Sequence, residues 1–361
     1  MRTSGGNRAF LPVFLALLAL PWFASCQSGR AAEPGAPASG QAAADTQSRT
    51  AAENRTAESR PALVDKSQWE FRAAVLGSLK PGEPFVAAIS GMPPQNSSAG
   101  AGRIRAVLVR GDRELNRAFF FDTREQCRRG PVNAAVMAVP STVGAGKASL
   151  RIEAGGKVLE TIELTIGERF FSTETINITA GMSDILTRPD PEKTRQAEQM
   201  WAIWARTGDE VYAPGNFIMP VKSEVQTSRF GGRRIYKYPD GRTSSSIHAG
   251  VDWRAPTGTP LYACAPGKVV LARMRIVTGN TVVIEHMPGV YSLCYHMDKI
   301  AVAEGDMVQT GSRLGDAGAT GFATGAHLHW EVRVATENTD PAAFLGRKIL
   351  DTEAILAILN E

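Results

Sequence analysis

Histidine is absent from the first 247 residues of this 361-residue chain, and only five histidines follow. They are His248, His286, His296, His327 and His329. Residues placed at random would rarely all fall in the last third of a sequence. Because imidazole is both a frequent metal ligand and an acid or base near neutral pH, the cluster predicts one chemical site in one C-terminal domain.

Cysteine is also scarce, at four residues, and one of them, Cys26, lies close to the N-terminus. The other three, Cys127, Cys264 and Cys294, can form at most one internal disulfide, which argues against a disulfide framework. Cys294 stands two positions before His296 and would share its face in a strand. It is therefore either a further metal ligand or a small residue of the core.

An excess of one charge sign is missing too, since 40 Lys and Arg residues face 36 Asp and Glu. This balance gives no support to a nucleic-acid partner. Hydrophobic residues make up 43% of the chain, which is enough for packed cores, and the length allows two domains with linkers.

The N-terminus has the features of an export signal, which we expect at residues 1–25. Arg2 and Arg8 precede an apolar run from Phe10 to Phe23, which is too short to span a membrane comfortably, and small residues lead to Cys26. The segment resembles a bacterial lipoprotein signal, which implies a lipid on Cys26 and a protein anchored in the bacterial cell envelope, facing the periplasm or cell wall. Phe23 replaces the aliphatic residue usual at its place, so an ordinary signal peptide cut nearby stays an alternative.

The rest of the chain divides by composition into five segments. Residues 26–68 lack apolar periodicity and are expected to form a flexible tether. Residues 69–168 contain short β-rich runs between Gly/Pro turns, which predict an immunoglobulin-like β-sandwich without the cysteine and tryptophan marks of antibody domains. Residues 169–215 are predicted to be a helical connector, residues 216–345 a second β-rich domain, and residues 346–361 a short C-terminal helix. The predicted fold class is therefore mostly β.

The connector helix has a defined start and one apolar face. Asp190 can cap it and Pro191 suits its first position. Its apolar residues recur with helical spacing, at Ala197, Met200, Trp201 and Trp204. A helix with two tryptophans on this face is expected to bury it against the sandwich or the next domain; an aromatic ligand-binding stripe is the less favoured alternative.

A second pattern places two histidines on one strand face. In the run from His327 to Val332, polar residues alternate with Leu328, Trp330 and Val332, so His327, His329 and Glu331 would point one way. One imidazole can hold a metal while its neighbour handles a proton. The alternative is a pair of surface histidines on an edge strand. Glu331 is either a hydrogen-bonding partner of His329 or a solvated strand residue.

His248 and Asp252 can contribute to the same site. Gly250 and Val251 between them disfavour a helix, but a turn entering a strand can bring an imidazole and a carboxylate to one ion. Two imidazoles and a carboxylate form a zinc site with an open fourth position, which is typical of hydrolytic zinc. The chain has no His-Glu-x-x-His motif, so a thermolysin-like glutamate base is excluded and unligated histidines are the candidates for proton transfer.

These motifs, in this order, resemble the lysostaphin-type (LytM-like) zinc metalloendopeptidases that cut peptidoglycan cross-bridges. The resemblance covers residues 216–345. It is carried by His248 with Asp252, by Tyr295-His296, by His327-Leu328-His329, and by the supporting stretches Thr227–Arg233, Pro260–Ala263, Gly267–Val269, Gly305–Gly311 and Gly318–Gly321. The sandwich before it resembles accessory domains of exported members.

The resemblance implies a role for each site residue. His248, Asp252 and His329 match the ligands of a Zn²⁺ ion, while His296 and His327 match two catalytic histidines that do not bind it. His286 matches a position with a structural role. Tyr236 and Tyr238 are both candidates for a tyrosine near the substrate oxyanion, and the choice stays open.

The implied fold and substrate follow from the same resemblance. The fold is a small, mostly antiparallel β-sheet metallopeptidase domain with a groove for an extended peptide, and the substrate is a peptide cross-link of bacterial peptidoglycan. Some relatives have lost ligands and act as envelope scaffolds or as activators of cell-wall amidases. All five positions are present here, which favours the enzyme over that alternative.

Overall fold

The computed structural model describes residues 71–91 and 103–361, apart from residues 207, 209 and 214. The predicted export signal, Cys26 and the tether lie outside these residues. Within the part of the chain that is described, no helix is long and apolar enough to cross a membrane.

The N-terminal domain is a sandwich of two four-stranded antiparallel sheets. Its strands are β1 (Arg72–Gly77), β2 (Pro84–Ser90), β3 (Arg105–Arg110), β4 (Arg113–Phe119), β5 (Phe121–Cys127), β6 (Gly130–Ala138), β7 (Gly146–Ala154) and β8 (Lys157–Ile166). One sheet has the order β1-β2-β6-β5 and the other β4-β3-β7-β8. This is the strand order of an immunoglobulin constant-type sandwich with one strand added at the edge of its second sheet.

Strand β2 shows why the sandwich does not stand apart from the rest of the molecule. All seven of its residues are buried, so it lacks the alternation of a half-exposed strand. Phe85 and Ile89 face the core between the two sheets. Val86 and Ala88 face the other way, into a second core shared with Trp330 of the C-terminal domain. The two domains are therefore packed through a common apolar layer.

The connector contains a strand as well as helices. Its elements are β9 (Thr173–Asn177), α1 (Ala180–Thr187) and α2 (Pro191–Trp204). Helix α2 begins as predicted, because the Asp190 side chain accepts a hydrogen bond from the Glu192 N–H. Met200 and Trp204 pack against the C-terminal domain, whereas Trp201 at the margin of the apolar face is 38% exposed. Strand β9 was not predicted, although its two threonines alternate with Glu174 and Ile176.

The C-terminal domain is built on a ten-stranded sheet and a small three-stranded sheet. Its strands are β10 (Gln226–Ser228), β11 (Arg233–Lys237), β12 (Thr243–Ile247), β13 (Val251–Arg254), β14 (Pro260–Tyr262), β15 (Gly267–Arg275), β16 (Gly279–Met287), β17 (Val290–Ile300), β18 (Met307–Val308), β19 (Arg313–Ala317), β20 (His327–Val334) and β21 (Glu337–Thr339). The main path of the large sheet is β10-β13-β20-β17-β16-β15-β18, and the small sheet is β12-β11-β9.

Two features of this domain bear on the site. Strand β20 pairs with β13 on one side and with β17 on the other, so the edge-strand interpretation of its histidines is wrong. The small sheet includes β9 from the connector, which runs parallel to β11. The chain closes with a 3₁₀ turn at Pro341–Phe344 and helix α3 (Thr352–Asn360), whose buried residues join the shared core.

Candidate metal centre

Strand register brings three candidate ligands to one point. Asp252 on β13 lies directly opposite His329 on β20. His248 lies in the turn that enters β13, where its N–H donates to the Gly232 carbonyl at 2.8 Å. The turn is tight, because a Cβ on Gly250 would lie 2.2 Å from the Trp330 carbonyl oxygen. Glycine at position 250 therefore lets the turn approach β20 closely.

The three side chains form a buried cluster. His248 Nε2 lies 3.1 Å from Asp252 Oδ1 and 3.0 Å from His329 Nδ1, and the latter two atoms are 2.7 Å apart. These donor atoms all lie within 4.8 Å of one another. The cluster can therefore hold one metal ion, with an imidazole nitrogen, a carboxylate oxygen and a second imidazole nitrogen as ligands.

The protonation states of the three side chains also favour a cation at this point. His248 Nδ1 donates to the Arg229 carbonyl at 2.8 Å, so its Nε2 carries a lone pair that faces an oxygen and a nitrogen. Burial opposes charge on Asp252, yet the adjacent imidazoles hold its pKa well below the usual range. Burial likewise opposes charge on His329, but hydrogen bonds to Asp252 and Glu331 raise its pKa to about 9. A positive charge is favoured at this point, which is what a bound metal ion supplies.

Further contacts fix the ligands in place. Arg234 donates to Asp252 Oδ2 at 2.8 Å, which leaves Oδ1 for a metal. Glu331 Oε1 lies 3.1 Å from His329 Nε2, and its other oxygen accepts from Asn338 at 2.8 Å. Glu331 is 1% exposed, so it is the partner of His329 and not a solvated strand residue.

His296 and His327 lie beside the cluster without belonging to it. Nδ1 of His296 donates to the Thr320 carbonyl and Nδ1 of His327 to the Gly325 carbonyl, both at 2.8 Å, so in the neutral form of each ring Nε2 is the nitrogen without a proton. The His327 Nε2 lies 3.8 Å from Asp252 Oδ1. The ring centroids of His296 and His327 are 5.0 Å apart. Burial and the neighbouring His327 lower the pKa of His296 to about 3, so its ring is neutral at pH 7.

His296 reaches the cluster through a break in strand alternation. The pairing of β17 with β16 shifts register between Cys294 and Met297, and His296 has a φ of 58°. A bulge of this kind re-aims a side chain. Cys294 consequently packs in the core, where burial raises the pKa of its thiol. Of its two interpretations, the small core residue is therefore the one that the structure supports.

The cluster lies in a pocket of about 350 Å³. Its walls come from four parts of the chain: Glu174, Ile176 and Met182 of the connector, Thr227, Ser228, Arg234 and Tyr236 of the following strands, Val277, Thr278, Tyr295 and His296 around β17, and Phe322–His327 with His329. Tyr236 lines the pocket, whereas the Tyr238 hydroxyl forms a hydrogen bond of 3.0 Å with the Ser244 hydroxyl. Of the two tyrosines left open by the sequence, Tyr236 is thus the one beside the cluster.

Sequence reasoning missed several residues of this site. Arg234 directly follows the motif Thr227–Arg233, and alternation along β11 would have placed it on the face of Tyr236. Thr320 lies in the stretch Gly318–Gly321, but only the fold brings its carbonyl to His296. Glu174 carries no signal, because 60 residues separate it from its partner Arg234.

Three side chains that could hold one metal ion, with two further histidines beside them in a pocket, form an arrangement that suits a metal-dependent hydrolase. Residues 246–341 match the model of peptidase family M23. The chain therefore carries a peptidase M23 domain, and this domain contains all five candidate site residues.

Two curated relatives match about a third of the chain or less. The peptidoglycan DD-endopeptidase ShyB of Vibrio cholerae is 43% identical over 116 residues, which are 32% of this chain and 26% of that protein. The DD-carboxypeptidase/endopeptidase Mpg of Neisseria meningitidis is 38% identical over 97 residues, 27% of this chain and 22% of that protein. The match thus spans about a quarter of the length of these relatives.

One solved structure resembles more of the molecule. A structure from Pseudomonas aeruginosa assigned to peptidase M23 superposes with a TM-score of 0.50 at 24% identity, covering 74% of this chain and 95% of that one. The likeness extends beyond residues 246–341 and concerns the fold.

Proposed function

We propose that this protein is a zinc-dependent endopeptidase that hydrolyses peptide cross-links of bacterial peptidoglycan. The observation that carries the proposal is the convergence of His248 Nε2, Asp252 Oδ1 and His329 Nδ1 beside a pocket that is also lined by His296 and His327. Three ligands leave one coordination position for the chemistry, as hydrolytic zinc sites require.

The donor set fits zinc. Two imidazole nitrogens and one carboxylate oxygen are ligands that Zn²⁺ commonly binds, and His248, Asp252 and His329 would hold it. When bound, zinc supplies a Lewis acid that polarises a carbonyl group and makes water more acidic. The hydrogen bonds from Arg234 to Asp252 and between Glu331 and His329 orient two of these ligands before any metal arrives.

The two unligated histidines would handle protons. A carbonyl oxygen holds the proton of each ring on Nδ1, so Nε2 is the atom that can accept a proton from water and later give it to the departing amine. A neutral ring is the form required for the first of these steps. Thr320 and Gly325 keep the rings aimed at the pocket, because each accepts the Nδ1 proton through its backbone oxygen.

The substrate class rests on the relatives. ShyB is named a peptidoglycan DD-endopeptidase. A D-alanyl cross-link is therefore the first bond to test, and a glycine bridge is the second. A lipid on Cys26 and attachment to a membrane of the cell envelope, with the domain facing the periplasm or cell wall, belong to the same proposal. The tether expected at residues 26–68 would let the peptidase domain reach a peptidoglycan mesh at some distance from that membrane.

The test separates the two kinds of histidine. We expect His296→Ala and His327→Ala to keep one zinc per chain and to lose turnover by on the order of 100-fold, because a positioned acid or base contributes about that much. We expect His248→Ala and Asp252→Ala to lose the zinc itself. The measurement pairs zinc content, by atomic absorption, with cleavage of purified cross-linked muropeptides followed by mass spectrometry of the new ends.

Each contrary result has a definite meaning. Zinc lost from His327→Ala, but kept in a variant of His329, would show that the roles of these residues are exchanged. If the zinc-loaded wild type cuts neither a D-alanyl nor a glycine cross-link, the enzyme proposal fails and an activator of amidases replaces it.

A further inference from the structure

The connector reaches the candidate metal site through its strand β9. In the parallel pair of β9 and β11, Glu174 lies opposite Arg234 and Ile176 lies opposite Tyr236. All four residues line the pocket. One wall of the pocket is therefore a sheet face that includes a strand from a segment outside the M23 match at residues 246–341.

A line of charged hydrogen bonds crosses this wall. Glu174 Oε1 accepts from Arg234 Nε at 2.6 Å, and Arg234 Nη2 donates to Asp252 Oδ2 at 2.8 Å. Ser228 bridges the same groups, because its hydroxyl accepts from Arg234 Nη2 at 2.9 Å and lies 3.2 Å from Glu174 Oε1. Glu174 is thus two hydrogen bonds away from a candidate metal ligand.

The planar shape of the guanidinium group couples the hydrogen bond at its Nε to the hydrogen bond at its Nη2. The group is planar, so fixing Nε fixes the direction in which Nη2 donates. Arg234 is largely buried, with 12% of its side chain exposed, and Glu174 holds its Nε–H. Arg234 in turn occupies Oδ2 of Asp252 and leaves Oδ1 turned toward the two imidazoles.

We propose that Glu174 is a positioning residue for the metal site, which acts on Asp252 through Arg234. The segment before the peptidase domain then tunes the affinity of that domain for its metal, although it supplies no ligand. The inference rests on the metal site of the proposed function, but not on the substrate or on turnover.

The experiment measures zinc affinity of the full chain by competition with a chromophoric chelator. We expect Glu174→Ala to weaken zinc binding about 3- to 10-fold, less than the 10- to 100-fold typical when a direct partner of a ligand is removed. Arg234→Ala is expected to fall in that larger range. Glu174→Gln is expected to recover most of the affinity, because its amide oxygen can still accept from Arg234 Nε.

The chain offers a matched control. Glu304 pairs with Arg273 outside the pocket, and its side chain is 38% exposed, the same fraction as that of Glu174. Glu304→Ala should leave zinc affinity unchanged. The decisive comparison is a double-mutant cycle, in which Glu174→Ala has no further effect on zinc affinity once Arg234 is alanine.

Any of four results with the variants would overturn the proposal: unchanged zinc affinity in Glu174→Ala, an equal loss in Glu304→Ala, independent additive losses from Glu174 and Arg234, or a Glu174→Ala chain that is unfolded at the assay temperature by circular dichroism. The last outcome would assign Glu174 a purely structural role. A wild type that binds no zinc would also overturn it. If the cycle shows coupling while the wild type cuts no muropeptide, the positioning role stands and the proposed enzymatic function alone fails.

Discussion

His286 should make the fold sensitive to acid. It is the one histidine outside the candidate site, and it is fully buried. Its Nδ1 donates to the Pro266 carbonyl at 2.7 Å and its Nε2 accepts from the Ser292 hydroxyl at 2.7 Å. Both contacts suit the neutral ring, and burial lowers the pKa of His286 to about 4 from an ordinary value of 6.5.

The sign and size of the effect follow from proton linkage. Between pH 6.5 and pH 4 the unfolded chain binds a proton at this histidine and the folded chain does not, so the free energy of unfolding falls as the pH falls. Above pH 6.5 the His286 ring is neutral in both states and does not make the free energy of unfolding depend on pH. On acidification to pH 4 this histidine lowers the free energy of unfolding by about 3 kcal/mol, since each pH unit of the interval corresponds to about 1.4 kcal/mol.

The assay compares urea unfolding of wild type and His286→Asn at several pH values from 4 to 8, with a chelator present throughout so that metal binding does not contribute. The variant is expected to be less stable at pH 8, because it loses packing, yet to lose about 3 kcal/mol less than wild type on going to pH 4. Parallel stability curves for the two proteins would refute the reasoning and mean that His286 has the same pKa in the folded and the unfolded chain.

Two other predictions concern the bulge at His296 and the predicted N-terminal export signal. Gly279→Ala should lower turnover at least 10-fold and the melting temperature by several degrees, because its Cβ would lie 2.4 Å from the Thr320 carbonyl oxygen that holds His296. Gly305→Ala is its control, since Gly305 also has a positive φ but nothing lies within 4 Å of the added Cβ; equal turnover losses in both would rule out the clash as the cause. Cys26→Ala should move the protein from the membrane fraction to the soluble fraction or stall its processing, and unchanged fractionation together with no acyl mass on the mature N-terminus would contradict the lipoprotein prediction.

The parts of the fold that could be predicted are those with local periodicity. Alternation from His327 to Val332 predicted strand β20 and the apolar side of Trp330, and capping by Asp190 predicted the start of α2. These signals are local, because a strand or a helix start is specified by residues a few positions apart. The mostly β fold class followed from many such signals together.

The parts that could not be predicted depend on contacts between distant segments. Strand alternation placed His296 on the face of Cys294, and only the register shift in the pairing with β16 separates them. Strand β9 is five residues long and pairs with β11, about 60 residues later. The continuous burial of β2 resembles that of a parallel strand, and it arises here because an antiparallel sheet is covered on both faces.

The same long-range contacts argue that the M23 match is not the functional unit. Residues 246–341 contain the five candidate site residues, but they lack β9 and Arg234, which form a wall of the pocket and hold Asp252. They also lack Asn116, a buried residue that donates to the Ala335 carbonyl and accepts from the Ala138 N–H, and so joins the two domains. Cutting the chain before residue 246 would expose the apolar layer shared with β2 and leave part of the site unsupported. Among the described residues, the sandwich and the connector are therefore parts of the folded unit that supports the candidate metal ligands.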